Sequence, residues 1–165
     1  MGYIVNSAYG SYGYGMNHNQ NYNRLAIMFV LHLVAMYILM YAMVNTFANA
    51  YPNHNQFYMA ALMASPMLLL ELLLMGSMYP NKKRNAGIMV AGLLLLVGSF
   101  FFIRQQTAIA DEQFLRSMIP HHAGAILMCN EASIQDPQIK ELCGNILSSQ
   151  QAEIDWMRQK LNTLE

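Results

Sequence analysis

"LAIMFVLHLVAMYILMYAMVNTF", residues 25–47, contains no charged residue, and at about 1.5 Å of rise per residue it is long enough to cross a hydrocarbon core of about 30 Å as a helix. Two further runs share this character, residues 57–78 and 86–103, and Glu71 is the one acid inside any of the three. The chain is 55% hydrophobic and 11% charged with a positive mean hydropathy, which is too apolar for an ordinary soluble domain. The sequence therefore predicts an all-α membrane protein with three transmembrane helices in residues 24–104. Ala48-Asn49-Ala50 fits a signal-cleavage pattern, but the apolar run before it exceeds the roughly 7–15 residues of a signal core, so it reads as a retained helix. Residues 1–23, rich in Gly, Tyr and Asn, show neither period nor core and are expected to be disordered.

The cations set the expected orientation. Lys82, Lys83 and Arg84 occupy the loop between the second and third runs, Arg24 precedes the first, and residues 48–56 carry no Lys or Arg. By the positive-inside rule the N-terminus and the 82–84 loop are cytoplasmic and residues 105–165 lie outside, in the periplasm if the membrane is a bacterial inner membrane. Net charge is zero and no basic patch remains beyond the membrane-facing loop, so nucleic acid is not an expected partner.

Residues 105–165 read as a helical hairpin. Asp111 is a candidate N-cap, and Phe114, Met118, Ala125, Cys129 and Ala132 repeat at helical spacing, with Pro120 set to kink the helix and free a carbonyl one turn earlier. Asp136-Pro137 supplies a cap and a first-position proline for a second helix, whose stripe is Ile139, Cys143, Ile146, Gln150, Ile154, Met157 and Leu161. An antiparallel pairing about residue 135 brings His121 and His122 level with Gln150, Met118 near Glu153, and Cys129 opposite Cys143. Met118, His121, His122, Ala125, Met128 and Cys129 fall within about 120° of arc at about 100° per residue, so one face is expected to hold them.

A single helical His is more often a packing or surface residue than a ligand, and Met commonly fills gaps. Two adjacent imidazoles with a thioether three residues upstream, and Glu153 and Met157 opposite, form a more specific set. Such ligands suit Cu(I), Ag(I) or Cu(II) better than Ca or Mg, and nothing follows the Cys-rich spacing of structural zinc. Cys129 and Cys143 are expected either to form a disulfide or to share a metal ion.

"DEQFLRSMIPHHAGAILMCNEA" followed by "QQAEIDWMRQKL" resembles the domain of unknown function numbered 305, a ferritin-like helical bundle several of whose members bind copper or silver outside the cytoplasm. The pattern is Asp111, Phe114, Met118, Pro120, His121, His122, Ala125 and Met128, then Gln150, Glu153, Ile154 and Met157. The resemblance implies metal binding at Met118, His121, His122, Met128, Glu153 and Met157. Cys129 and Cys143 depart from the pattern, and many members have two such hairpins where this chain has one.

The apolar runs carry soft ligands as well. Met28, His32, Met36, Met40 and Met43 fall within about 120° on the first helix, and Met59, Met63, Met67, Glu71, Met75 and Met78 within about 160° on the second. Helix packing is the default reading of such stripes, and a membrane metal path is the alternative that Glu71 favours, because an ionisable group at membrane depth is costly. The sequence thus predicts a membrane-anchored, extracytoplasmic copper- or silver-binding protein for metal tolerance or hand-off, not an enzyme, with a Cu(I) transporter subunit as the alternative. A di-iron redox centre would need Glu three residues before its His, which neither His121 nor His122 has. Because a lone hairpin is a marginal core, two are expected to pair as a four-helix bundle in a homodimer or higher homo-oligomer.

Overall fold

The computed structural model describes residues 18–164, and among these every regular element is helical. Five α-helices follow in order: α1 His18–Leu39, α2 His54–Leu74, α3 Lys82–Gln105, α4 Asp111–Glu131 and α5 Pro137–Leu164. One-turn 3-10 pieces at Met40–Met43, Phe47–Asn49 and Gly76–Met78 sit in the connections. The first three helices are long and apolar enough to cross a membrane, α1 together with the Met40–Met43 turn. Helices suit that solvent because each satisfies its own backbone hydrogen bonds.

Helix α2 is the central member, packed against both α1 and α3. Its buried positions Ala60, Ala61, Ala64 and Ser65 are small and let its neighbours approach closely. Gly92 of α3 is one such approach, since a Cβ there would stand 3.3 Å from Leu69 Cδ2. Outside this contact the surface is apolar: Ile27, Leu31, Ile38, Leu70, Leu94 and Phe101 are each at least half exposed, as lipid-facing positions require.

Helix α1 begins at His18, so the last residues of the stretch expected to be disordered, 18–23, are helical, while 1–17 lie outside the described residues. Tertiary bonds fix this end. Asn21 Nδ2 donates to the Met78 carbonyl at 3.0 Å, and the Tyr22 hydroxyl donates to Asn85 Oδ1 at 2.7 Å. Nearby, the Tyr79 hydroxyl donates to Glu71 Oε1 at 3.0 Å. Burial, and then the Glu71 carboxylate beside it, push the Tyr79 phenol up to about 12, which keeps it a donor. Glu71 is therefore satisfied locally, near the end of α2.

Helices α4 and α5 form the antiparallel hairpin. Asp136 Oδ1 accepts from the Gln138 and Ile139 amides at 2.8 and 3.1 Å, which caps α5 ahead of Pro137. At the other helix the cap shifts: Ala110 is the N-cap without a side-chain bond, and Asp111 and Glu112 lie in the first turn, where they complement the helix dipole. Cys129 and Cys143 are joined in a disulfide with Cα atoms 5.4 Å apart.

Much of the apolar stripe of the hairpin is covered within one chain, while Phe114 and Ile139 stay about half exposed. Leu115, Ile119, Ala123, Ile126, Ile154, Met157 and Leu161 form its core, and Val44 and Tyr51 from the connection between α1 and α2 pack against it. The α1–α2 connection thus supplies a layer over part of that stripe. Polar bonds hold the dock. Asn53 caps α2 by accepting from the Gln56 amide at 2.8 Å, while its Nδ2 donates to the carbonyls of Tyr51 at 2.9 Å and Arg116 at 3.4 Å. The Arg116 carbonyl is the one Pro120 deprives of its helical donor, so the proline creates an acceptor that the dock uses. Arg158 Nη2 donates to Asn49 Oδ1 at 2.7 Å, and the His54 amide donates to Gln113 Oε1 at 3.0 Å.

Candidate metal site at the hairpin junction

His121 and His122 diverge. The His122 ring is buried, with Nε2 2.6 Å from Glu153 Oε2 on α5 and Nδ1 2.9 Å from the Met118 carbonyl. With Nδ1 donating to that carbonyl, Nε2 is the nitrogen that can carry a proton toward Glu153 or present a lone pair to a metal. The one-face expectation needs correction here, because consecutive residues on a helix are about 100° apart and α5 closes over only one of the two rings. Cys129 meets Cys143 as the antiparallel pairing expects, and the long Glu153 side chain reaches the His122 ring.

The His121 ring stays exposed and lines a cavity of about 470 Å³ between α4 and the near ends of the three apolar helices. Met118 and Met128 share that cavity from α4, and Met40, Met43 and Met59 line it from the other side. Pro120 and Gly124 form part of the α4 wall. Helix α4 runs close to the end of α1 here: a Cβ at Gly124 would make an ordinary contact, 3.6 Å, with the Met43 carbonyl oxygen. Asn55 and Gln106 lie at the rim and exchange amide hydrogen bonds of 3.0 and 3.2 Å.

The remaining expected ligands separate from this group. Met157 belongs to the hairpin core, and Cys129 and Cys143 are consumed by their disulfide. Gln150 Oε1 is buried without a hydrogen-bond partner, leaving an acceptor open. In the apolar helices the two stripes do not converge on one path. Met67 and Met78 pack beside Leu25, Leu68, Leu72 and Tyr79. Met63 and Met75 are exposed, and Met28 and His32 share a shallow depression made only of α1 residues. Met36 is half-buried on α1 and lines none of these cavities. Only Met40, Met43 and Met59 come to the hairpin. The convergence of Met43 with α4 was not legible in the sequence, since it depends on how the hairpin folds back.

Among the described residues no three His, Cys, Asp or Glu side chains group closely enough to hold a metal ion. The soft donors that line the junction cavity are the His121 imidazole and the thioethers of Met40, Met43, Met59, Met118 and Met128, beside the oxygen donors Asn53, Asn55, Gln56, Gln106 and Ser117.

An uncharacterized protein, L153, of Acanthamoeba polyphaga mimivirus is 33% identical over 145 residues, covering 86% of this chain and 93% of the viral protein. The chain belongs to the family of that protein. Residues 103–161 match the Domain of unknown function DUF305, which coincides with the hairpin. An alignment of 145 residues extends well beyond the DUF305 domain, so the likeness to the viral protein includes most of the apolar helices. No solved structure matches the chain.

Proposed function

We propose that this protein binds copper or silver through its DUF305 hairpin and holds the ion at a membrane surface for tolerance or hand-off, as a binder and not a catalyst. The observation that carries the reading is the placing of the His121 imidazole in one cavity with the thioethers of Met118 and Met128. An imidazole and sulfur together suit Cu(I) and Ag(I) better than hard divalent ions, which prefer oxygen ligands. The His122–Glu153 pair offers a second nitrogen and a carboxylate one residue along the helix. In this reading the hairpin lies on the side of the membrane opposite Lys82, Lys83 and Arg84, and the Cys129–Cys143 disulfide supports an oxidising compartment there.

One chain supplies every ligand named, so the reading does not require two hairpins to pair. Homodimerisation stands as a separate proposal, with Ile139, Leu142 and Trp156, exposed on α5, as its surface. A Cu(I) transporter subunit is the second reading, favoured by the methionines of the apolar helices that reach the cavity and weakened by the outward-facing Met28, Met63 and Met75. Metal-dependent uptake into proteoliposomes separates a transporter from a binder.

Anaerobic equilibrium dialysis of the detergent-solubilised full chain tests the main reading. Retention of Cu(I) and Ag(I), with Zn(II) and Ca(II) passing through, is expected. Retention of Ca(II) or Zn(II) in preference to Ag(I) would overturn it.

A further inference from the structure

The cavity at the hairpin junction has two walls with different origins. One is α4, with Met118, His121 and Met128; the other is the hairpin-side ends of α1 and α2, with Met40 and Met43 in the turn that ends the first span and Met59 one turn into the second. Nothing in a lipid-facing role requires three methionines there, and elsewhere on the same helices methionines either pack in a core, as Met67 does, or face outward, as Met63 does. At the cavity they meet a second set of soft donors across a gap of about 470 Å³, room enough for an ion and the movement of unbranched side chains around it.

We infer that this cavity is a composite site for a thiophilic monovalent cation, Cu(I) or Ag(I), ligated jointly by the hairpin (His121, Met118, Met128) and by the membrane helices (Met40, Met43, Met59). The inference rests on the metal-binding reading above and goes beyond it, because it assigns ligands outside the DUF305 domain and fixes the oxidation state. Cu(I) and Ag(I) take soft thioether and imidazole ligands, and the cavity presents such donors from both walls, so one ion there can draw on both at once. Two consequences follow. Metal occupancy clamps the hairpin onto the membrane helices, adding metal bonds to a dock otherwise held by the polar bonds of Asn49, Asn53, His54 and Asn55 and by a small apolar contact. It also places the ion against the membrane surface, so that its release is coupled to undocking of the hairpin.

The test uses the full chain in detergent with Ag(I), which is diamagnetic and inert to oxidation under these conditions. Methionine is labelled at its ε-methyl carbon, and the signals are assigned by single Met→Leu variants, a near-isosteric change. At saturation the signals of Met118, Met128 and at least one of Met40, Met43 and Met59 should shift, while those of Met63 and Met75 stay in place. The triple variant M40L/M43L/M59L should bind Ag(I) at least about tenfold more weakly, since even outer partners of a metal site contribute about 10–100-fold. The double variant M63L/M75L should bind like wild type. If only Met118 and Met128 shift and the triple variant keeps wild-type affinity, the composite site is refuted while the hairpin reading survives. If the wild-type chain retains no Ag(I), both fall. Because the methyl shifts are read on wild-type sequence, a triple variant that fails to fold does not obscure the answer.

Discussion

His122 Nε2 lies 2.6 Å from Glu153 Oε2 across the hairpin, while the other ring nitrogen meets the Met118 carbonyl one turn back along α4. A buried imidazole tied at both nitrogens couples the two helices directly, and it leaves the neighbouring His121 free to serve the cavity.

The two histidines should therefore separate stability from binding. His122→Ala removes a buried, doubly bonded ring and is expected to lower hairpin stability by about 1–3 kcal/mol. His121→Ala, at an exposed position, should leave the melting temperature within about a degree or two of wild type while weakening Ag(I) binding. Thermal denaturation followed by circular dichroism, paired with Ag(I) titration, checks both. Equal losses of stability in the two variants would contradict the assignment.

Glu153 is largely exposed, so water can replace it at His122 Nε2. Glu153→Gln should cost no more than about 1 kcal/mol, in line with a partly solvated pair. The same denaturation experiment reads this value, and a loss of several kcal/mol would place Glu153 in a deeper network than the one described.

The Cys129–Cys143 bridge closes the turn between α4 and α5. For a loop of about 15 residues the chain-entropy account assigns about 3 kcal/mol. Cys129→Ser with Cys143→Ser should thus lower the midpoint of hairpin unfolding, with the apolar helices unaffected. Hydrogen exchange resolved by segment distinguishes the two regions, and loss of protection in α2 as large as in α5 would be the contrary result.

Much of this architecture follows from local sequence. Length and apolarity alone locate the three long helices, and Asp136-Pro137 starts α5 as that dipeptide predicts. The beginning of α1 was hidden because 18–23 have no apolar period; Asn21 and Tyr22 hold it through partners 57 and 63 positions away. The site was half legible. Helical spacing identifies Met118, His121 and Met128, yet it assigned both histidines to one surface because it could not say where α5 would close. Met43 and Met59 become cavity residues only through the fold-back of the hairpin, which is set by the Asn53–Arg116 bond and by Ala108 and Gln106.

That fold-back contains a testable strain. Gln106 and Ala108 adopt φ of 51° and 57°, the left-handed region that costs residues with a Cβ about 1–2 kcal/mol. Ala108→Gly should stabilise the docked hairpin by about 0.5–1 kcal/mol, the relief being offset in part by a more flexible unfolded chain. A clear destabilisation in chemical denaturation would show that the linker conformation is not held as described.

The most direct test of soft-metal binding is X-ray absorption at the copper edge on full-length protein loaded anaerobically with Cu(I) and passed through a desalting column. Retained copper with a first shell of sulfur and at least one imidazole nitrogen is predicted, with the imidazole signature lost in His121→Ala. Copper surrounded only by oxygen or nitrogen in wild type, or no copper retained at all, would contradict the account.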